Sequence, residues 1–322
     1  MIVFNLQVVQ RGGMPVARRT DAVLFLIALV WGSSYLAAKT ATVALPVAAV
    51  LFARYAVSAL ACGGLVAFRR RAWTRAEVRA GSVLGVTQAA VLALETYGIA
   101  HTSAANAGLI ISLTIVLTPL VDRTAGSRRL PWAFFAAAGL CVLAVGLLTS
   151  STGLHALRLG DALMLVAAVV RAGHVALVGR LTARHPVDAL HLTTVQTVVG
   201  SALFLAPALS HLPDLAGSSA ATWSQLLYLA LFCSVFAFLA QTWAVQRTSA
   251  SRASLLLGTE PIWAVAIGIG LGGEHLTVWA SLGAVLMVTG TYWGQAVERT
   301  HRTATDPAAG GGTRPAPTPV GA

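Results

Sequence analysis

The sequence predicts an all-α membrane protein with ten transmembrane helices, arranged as two inverted five-helix repeats. Composition is the first reason, because 57% of the 322 residues are hydrophobic and only 10% are charged, whereas soluble domains average about 25% charged residues. The second reason is a succession of ten apolar runs, each near the roughly 20 residues that a helix needs to cross a bilayer. The third is a similarity between the two halves of the chain.

The apolar runs define ten predicted spans, numbered in chain order and joined by short connections. They cover residues 21–41, 46–68, 79–98, 103–122, 131–149, 160–181, 187–208, 223–246, 252–272 and 277–297. The chain therefore divides into a cytoplasmic leader (1–20), a first five-helix repeat (21–149), an external linker (150–159), a second five-helix repeat (160–297) and a disordered cytoplasmic tail (298–322). The tail is rich in proline and glycine, which favours disorder.

Short sequences recur between the two repeats. Residues 102–104 and 248–250 both read Thr-Ser-Ala, close to the starts of spans four and nine, and Asp21 opens span one as Asp161 opens span six. Paired glycines correspond after a small gap: Gly139 and Gly146 match Gly283 and Gly290. Matches at nearly one spacing indicate an internal duplication, as in many secondary transporters.

The basic residues predict the orientation in the membrane. If the N-terminus is cytoplasmic, most of the 22 Lys and Arg residues fall in cytoplasmic segments, as the positive-inside rule requires. Each repeat has five spans, an odd number, so the second repeat is expected to enter the membrane from the opposite face. The total of ten spans then places both termini in the cytoplasm. The net charge of +11 then reflects membrane topology, and no nucleic-acid partner is expected.

Span nine carries an acidic residue at membrane depth. Glu260 is the one charged residue between Arg252 and Glu274, and Pro261 follows it directly. A charge within a span costs roughly 2.5–3.5 kcal/mol on insertion scales and usually faces a cavity or a partner. Pro261 lacks an N–H and predicts a helix break. Glu260 is therefore a candidate substrate or coupling residue, or else an ion-pair partner that only fixes packing; Glu274 is expected to be exposed.

Span six places Arg171 near its centre and His174 three residues later on the same face. The guanidinium stays charged, so it needs a carboxylate, carbonyls, water or an anionic substrate. Two alternatives remain for Arg171, a structural ion pair with Glu260 and contact with the substrate. His174 is a candidate proton carrier, or a structural hydrogen-bonding group.

Spans two and three carry a second set of polar residues. Arg54 and Glu95 both lie towards the outer half of their spans, and this match in depth permits an ion pair. Gln88 precedes Glu95 by two helical turns and shares its face. The set belongs either to the substrate site or to a structural polar seam between the two spans.

Span one has a mixed aromatic and hydroxyl-bearing face, formed by Trp31, Ser34 and Tyr35. Binding pockets often combine apolar walls with a few polar groups, and helix packing is the alternative explanation. Asn106 lies near the outer start of span four and is a further candidate for a cavity.

Several motifs resemble those of a known family. They are Val30-Trp31-Gly32-Ser33-Ser34-Tyr35, Arg54-Tyr55, Thr102-Ser103-Ala104-Ala105-Asn106-Ala107, Glu260-Pro261 and Gly272-Gly273-Glu274. Over residues 21–297 the chain resembles the drug/metabolite transporter superfamily, specifically its EamA-type ten-helix members. The resemblance implies two five-helix bundles around a central cavity, framed by spans one to four and six to nine and braced by spans five and ten. It also implies the bacterial inner membrane, where most characterised relatives export metabolites, amino acids or toxic compounds.

The sequence departs from the family pattern in two places. In span four, many relatives have a proline where this chain has Ile115, and Pro119 follows one turn later as the candidate helix break. In span six, relatives often have a tryptophan where this chain has Arg171. The substrates of better-known relatives are therefore not carried over to this chain.

The predicted function is a non-enzymatic secondary transporter, an exporter of small metabolites, amino acids or drug-like compounds that works by alternating access. The alternatives are a polytopic membrane enzyme acting on lipid-linked substrates and a non-transporting membrane scaffold. The expected partners are a small-molecule substrate and membrane lipids, and a homodimer is left open. The three cysteines lie in apolar runs without metal-ligand spacing, so neither a metal nor a cofactor is expected.

Overall fold

The computed structural model describes residues 16–69, 71–121, 131–149, 158–183, 187–245, 256–275 and 277–305. All regular secondary structure in these residues is helical, and none of them forms a β-strand. The start of the predicted leader, most of the external linker and the tail from residue 306 onward lie outside the described residues.

The helices follow the apolar runs closely. The first half contains α1 (Val16–Ala44), α2 (Val47–Arg69), α3 (Arg75–Ala100), α4 (Ala104–Ile111), α5 (Thr114–Val121) and α6 (Trp132–Thr149). The second half contains α7 (Leu159–Ala183), α8 (Ala189–Ala208), a 3₁₀ turn (Leu209–His211), α9 (Leu212–Ala216), α10 (Ala220–Leu227), a π-helix (Tyr228–Phe236), α11 (Ala237–Val245), α12 (Glu260–Gly270) and α13 (Val278–Thr305). Six helical segments among the described residues are long and apolar enough to cross a membrane, so this is a multi-pass membrane protein whose described part is all-α.

Two helices extend past the predicted boundaries. α1 begins at Val16, inside the predicted leader, and α13 continues to Thr305. The predicted disorder of the tail is therefore wrong for residues 298–305. Hydrophobicity marks where a helix leaves the membrane, whereas the helix itself can continue into water beyond that point.

Predicted span four is interrupted in its middle. A turn at Ser112 and Leu113 separates α4 from α5. The amide and the hydroxyl of Ser112 both donate to the Leu109 carbonyl, at 3.2 and 2.6 Å, so the backbone bonds here reach three residues back instead of four. The predicted break at Pro119 is wrong, because α5 continues through that residue.

Predicted span nine is interrupted as well. A turn at Gly258 and Thr259 directly precedes α12, which begins at Glu260 with Pro261 in its first turn. Proline is tolerated there because the first N–H groups of a helix have no intrahelical partner. The break therefore falls immediately before the Glu260–Pro261 pair.

The π-helix (Tyr228–Phe236) adds a second irregularity to the second half. In a π-helix the backbone bonds reach five residues back, and such segments are frequent at functional sites. The Trp31 indole donates to the Cys233 carbonyl at 3.1 Å, and the Ser58 hydroxyl donates to the Ala230 carbonyl at 3.1 Å. The π-helix therefore presents hydrogen-bond acceptors to α1 and α2.

Helices of the two halves pack against each other throughout the bundle. α2 packs along α8, α3 along α7 and α8, α12 along α1 and α4, and α6 along α13. The largest buried cluster joins Phe134 of the first half to Met164 and Met287 of the second. α4 and α12 approach so closely that a Cβ on Gly108 would overlap the Cβ of Ala264. The two halves therefore share one core.

Candidate functional site

Within the helix bundle, one arginine lies between two carboxylates. Arg171 on α7 has Nη1 3.5 Å from Glu95 Oε1 and Nη2 3.4 Å from Glu260 Oε2. Tyr35 on α1 donates its hydroxyl to Glu260 Oε1 at 2.5 Å. The side chains of Arg171, Glu95 and Glu260 are 21%, 15% and 12% exposed, so the protein does not enclose them completely. We call these four residues the central ionic cluster.

Glu260 owes its position to the helix break. It is the first residue of α12, directly after the turn at Gly258 and Thr259. The free N–H groups at a helix start carry a partial positive charge, which stabilises a nearby carboxylate. Together with Arg171 and Tyr35, this charge makes Glu260 the better stabilised of the two carboxylates. Of the two alternatives for Arg171, the structure contains the ion pair with Glu260.

Trp31 forms a wall beside the guanidinium. Its ring centroid lies 5.7 Å from Arg171 Cζ, within the range of a cation–π contact. The bond from its indole N–H to the Cys233 carbonyl holds the ring in place. Tyr35 lies one turn further along α1, so the two aromatic residues share a face. Ser34 differs, because its hydroxyl donates to the Trp31 carbonyl at 2.7 Å and is satisfied within its own helix.

The ion pair that the similar depth of Arg54 and Glu95 permits is not formed. Arg54 donates from Nε to Ser234 Oγ at 3.0 Å, whereas Glu95 pairs with Arg171. The reason lies in helix packing, because α2 contacts the π-helix while α3 packs along α7. Gln88 is 6% exposed, and its Oε1 has no hydrogen-bond partner among the described residues.

Two other predicted site residues form their hydrogen bonds outside the central ionic cluster. His174 Nδ1 lies 2.7 Å from Thr87 Oγ1, which joins α7 to α3. The backbone N–H of Asn106 donates to Ser103 Oγ at 3.0 Å and so helps to cap α4, and its side chain is half-buried. A direct role of His174 or Asn106 in transport therefore stays a prediction.

A carboxylate that the sequence suggested to be exposed is instead held between helices. Glu274 accepts hydrogen bonds from the amides of Ala104 and Ala105 at 2.6 and 2.9 Å, and lies 3.3 Å from Lys39 Nζ. Its side chain is only 12% exposed. Gly268 makes room for it, because a Cβ there would lie 2.7 Å from Glu274 Oε2. We call this group the outer clasp, after the orientation that the sequence predicts; it joins the end of α12 to α1 and α4.

The opposite end of the bundle carries a polar group that the sequence did not single out. Glu77 at the start of α3 accepts from the Asp188 amide at 3.0 Å and lies 3.1 Å from His191 Nδ1. Trp73 stacks on His191 with ring centroids 4.2 Å apart, and Arg71 pairs with Asp188 at 2.7 Å. Glu77 and His191 are each 2% exposed. We call this group the inner clasp, again after the predicted orientation; it joins the start of α3 to the start of α8.

Asp188 also caps α8. Its Oδ1 accepts from the Leu190 amide at 2.8 Å, as expected of an N-cap aspartate. Burial opposes its ionisation, but the amide donors of Leu190 and His191 and the Arg71 guanidinium hold the pKa of the Asp188 carboxyl below its usual value. Asp188 is therefore ionised at neutral pH and available to Arg71.

Both clasps have a recognisable sequence signal. Thr74 and Glu77 have the spacing of a capping box, and both of its hydrogen bonds are present. Glu274 follows two glycines, of which Gly273 has a φ of 65°, a conformation that favours glycine. Neither sequence pattern predicts which helix its carboxylate will contact, because the contacted helix belongs to the other half of the chain.

A cavity of about 490 Å³ lies between α1, the α10 and π-helix segment, and α12. Its polar groups include Ser33 and Tyr228, whose hydroxyls are hydrogen-bonded to each other. At 100° per residue, Ser33 points away from Trp31 and Tyr35 on the same helix. α1 therefore separates this cavity from the central ionic cluster. The cavity is lined by Ser33, Leu36, Ala37, Thr40, Gln225, Tyr228, Ile267, Leu271 and Gly272.

Comparisons with known proteins agree with this architecture. The family model described as the EamA-like transporter family matches residues 18–150 and again residues 158–293. Two Archaeoglobus fulgidus proteins, each described as an uncharacterized transporter, are similar: one is 25% identical over 290 residues (87% of each chain), the other 24% over 286 residues (85% of this chain, 96% of the relative). A solved crystal structure with 18% identity matches at a TM-score of 0.56, covering 88% of this chain and 99% of the other, and shows a shared fold. The chain is a membrane transporter and belongs to the EamA-like transporter family.

Proposed function

We propose that this protein is a secondary transporter that exports small metabolites, amino acids or drug-like compounds across the bacterial inner membrane by alternating access. In this proposal ten transmembrane helices form two inverted repeats, with both termini in the cytoplasm. Membership of a transporter family supports transport over the two alternatives, a membrane enzyme and a non-transporting scaffold.

The central ionic cluster is the observation that carries the proposal. It combines Tyr35 and Glu95 of the first half with Arg171 and Glu260 of the second. A charge at membrane depth costs roughly 2.5–3.5 kcal/mol, so such groups mark substrate or ion pathways. Because these groups come from both halves, a relative movement of the halves changes the shape of the site and its access.

The interrupted helices support the inverted repeat. The break between α4 and α5 and the break before α12 lie in corresponding spans of the two halves. Transporters with inverted repeats build their sites near the bilayer midplane from such interrupted helices. Helix packing supports the repeat as well. The first helix of the first half, α1, packs against α12 of the second half, and the first helix of the second half, α7, packs against α4 and α5 of the first half. The two contacts are therefore equivalent if the halves are exchanged.

An efflux screen tests the proposed function. A bacterial strain that overexpresses the protein is compared with the same strain carrying an empty vector, and both growth resistance and release of metabolites into the medium are measured. The proposal predicts faster release of, or higher resistance to, at least one class of small molecule. Equal release and equal resistance for every compound, with the protein present in the membrane, would contradict export.

A further inference from the structure

The two carboxylates of the central ionic cluster have unequal surroundings. Glu260 accepts a hydrogen bond from Tyr35, lies 3.4 Å from Arg171 and occupies the N-terminus of α12. Glu95 has one polar contact in the described part of the chain, to Arg171 at 3.5 Å. Its Oε1 accepts no hydrogen bond from those residues. Glu95 is therefore the carboxylate whose negative charge the fold stabilises less.

Two further polar atoms near the side of α3 that carries Glu95 have no partner among the described residues. The Tyr55 hydroxyl and Gln88 Oε1 are buried without a hydrogen bond, and the two residues are 2% and 6% exposed. Gln88 lies on the same face of α3 as Glu95. Tyr55 packs against Ala89 and Leu92, which lie between these two polar residues. The three atoms therefore follow one side of α3.

A buried polar atom left without a partner costs about 1–3 kcal/mol. Such atoms in folded proteins are usually satisfied by ordered water. Unpartnered atoms on Tyr55, Gln88 and Glu95 suit a small group of water molecules that reaches the Glu95 carboxylate. Water next to a weakly paired carboxylate can deliver a proton to it and remove it again.

The charges around Glu95 sum to zero only while Glu95 is ionised. The positive charges of Arg54 and Arg171 then equal the negative charges of Glu95 and Glu260. A proton on Glu95 leaves one net positive charge, while Arg171 keeps Glu260 as its partner. In the described part of the chain, the charged and titratable groups around Glu95 are Arg171 on α7, Glu260 on α12, Arg54 and Tyr55 on α2, and Tyr35 on α1; His174 follows Arg171 by three residues and contacts Thr87.

We propose that Glu95 is a proton-binding site that couples proton movement to transport, an inference that rests on the proposed function. A proton from water binds a carboxylate oxygen of Glu95, and the ion pair between Glu95 and Arg171 then breaks. Glu95 belongs to the first half and Arg171 to the second, so protonation removes a link between the halves. Return of the proton to water restores the link.

Infrared difference spectra of the full-length protein in liposomes test this site. As the pH falls from about 9 to about 5, the wild type is expected to gain the C=O stretching band of a buried carboxylic acid. Glu95→Gln is expected to lose that band and Glu260→Gln to keep it. Glu95→Asp retains a carboxyl group in a displaced position, so a shifted band in this variant separates loss of the site from loss of the fold.

Three outcomes would overturn the proposal: no band in the wild type, a band that survives in Glu95→Gln, or a band that disappears in Glu260→Gln alone. The measurement needs no substrate, so it is independent of flux. A protein that transports but lacks the Glu95 band refutes the coupling site alone. A protein that shows the band but moves no compound refutes the proposed function.

Discussion

At the scale of single residues, Arg171 sets the charge balance of the central ionic cluster. Its two terminal nitrogens contact two different carboxylates, at 3.5 and 3.4 Å. These distances exceed the about 2.7–2.9 Å of a tight charge-assisted hydrogen bond. The guanidinium is therefore shared between Glu95 and Glu260 and not locked to either. Such sharing suits a site in which ionic partners are exchanged during a cycle.

Replacement of Arg171 by alanine leaves two carboxylates inside the bundle without their shared cation. We expect Arg171→Ala to lower the free energy of unfolding by about 3 kcal/mol, as for other broken buried ion pairs. The double variant Arg171→Ala/Glu260→Gln should recover part of that loss, because one uncompensated charge is removed. Thermal unfolding of the purified variants in detergent, analysed as a double-mutant cycle, measures both effects.

Arg79→Ala is the matched control, since Arg79 is exposed on α3. Its stability should stay within about 0.5 kcal/mol of the wild type. If Arg171→Ala were as stable as Arg79→Ala, the ion pairs at the centre would not contribute to the fold.

The sequence shows which residues carry charge at depth, but not how each helix is rotated. An ion pair between Arg171 and Glu260 was one of two alternatives, and it is present. The permitted pair between Arg54 and Glu95 is not formed, although both lie at similar depth, because depth along a span does not fix the neighbouring helix. Arg54 donates instead to Ser234 on the π-helix, and the composition of that segment does not predict a π-helix.

At the scale of elements, the outer clasp illustrates how one carboxylate can join three helices. Glu274 satisfies two of the free N–H groups that begin α4, and its charge is favourable at that helix end. Lys39 of α1 adds an ion pair and donates to the Thr102 carbonyl at 2.9 Å. The close approach depends on the absence of a side chain at Gly268.

Two glycines near the end of α12 make a matched pair of tests. Alanine at Gly268 would place a Cβ 2.7 Å from Glu274 Oε2, whereas nothing lies within 4 Å of a Cβ at Gly270. We expect Gly268→Ala to destabilise the protein by about 1–3 kcal/mol through overpacking. Gly270→Ala should be neutral or stabilising by up to about 1 kcal/mol, since alanine favours helix. Equal melting temperatures for the two variants would contradict the outer clasp.

The helices can be predicted from the sequence, because an apolar run of about 20 residues can satisfy its backbone hydrogen bonds in a membrane by forming a helix. The positions where these helices are interrupted are harder to predict. The turn before Glu260 has a proline beside it, whereas the turn at Ser112 depends on local hydrogen bonds to Leu109. Pro119 was a misleading signal, because it lies within α5. The π-helix (Tyr228–Phe236) has an ordinary apolar composition, so periodicity alone does not reveal it.

At the scale of the whole molecule, polar groups join the two halves at three levels. Glu274 of the second half holds α4 of the first, and Glu77 of the first half holds the start of α8 in the second. Between them, Arg171 joins the halves at the central ionic cluster. In the proposed alternating-access cycle, the clasps at the two ends open one at a time, and the polar groups at the centre are exposed in turn.

Cysteine labelling in cells tests the predicted orientation. Asp214→Cys should react with a membrane-impermeant maleimide added to intact cells, because Asp214 is 62% exposed at the end predicted to face outward. Ala72→Cys, exposed in the loop before α3, should react only after permeabilisation. The three native cysteines are buried and give little background. Labelling of Ala72→Cys in intact cells would contradict the cytoplasmic placement of the N-terminus.

The central claim is that the ionic cluster shared by the two halves is the transport site. Its most direct test is flux of the compound identified by the efflux screen, measured in proteoliposomes containing purified Glu260→Gln. Asp214→Asn is the matched control, because it makes the same chemical change at an exposed position. With equal insertion of both variants, the account predicts flux near background for Glu260→Gln and wild-type flux for Asp214→Asn; undiminished flux through Glu260→Gln would contradict it.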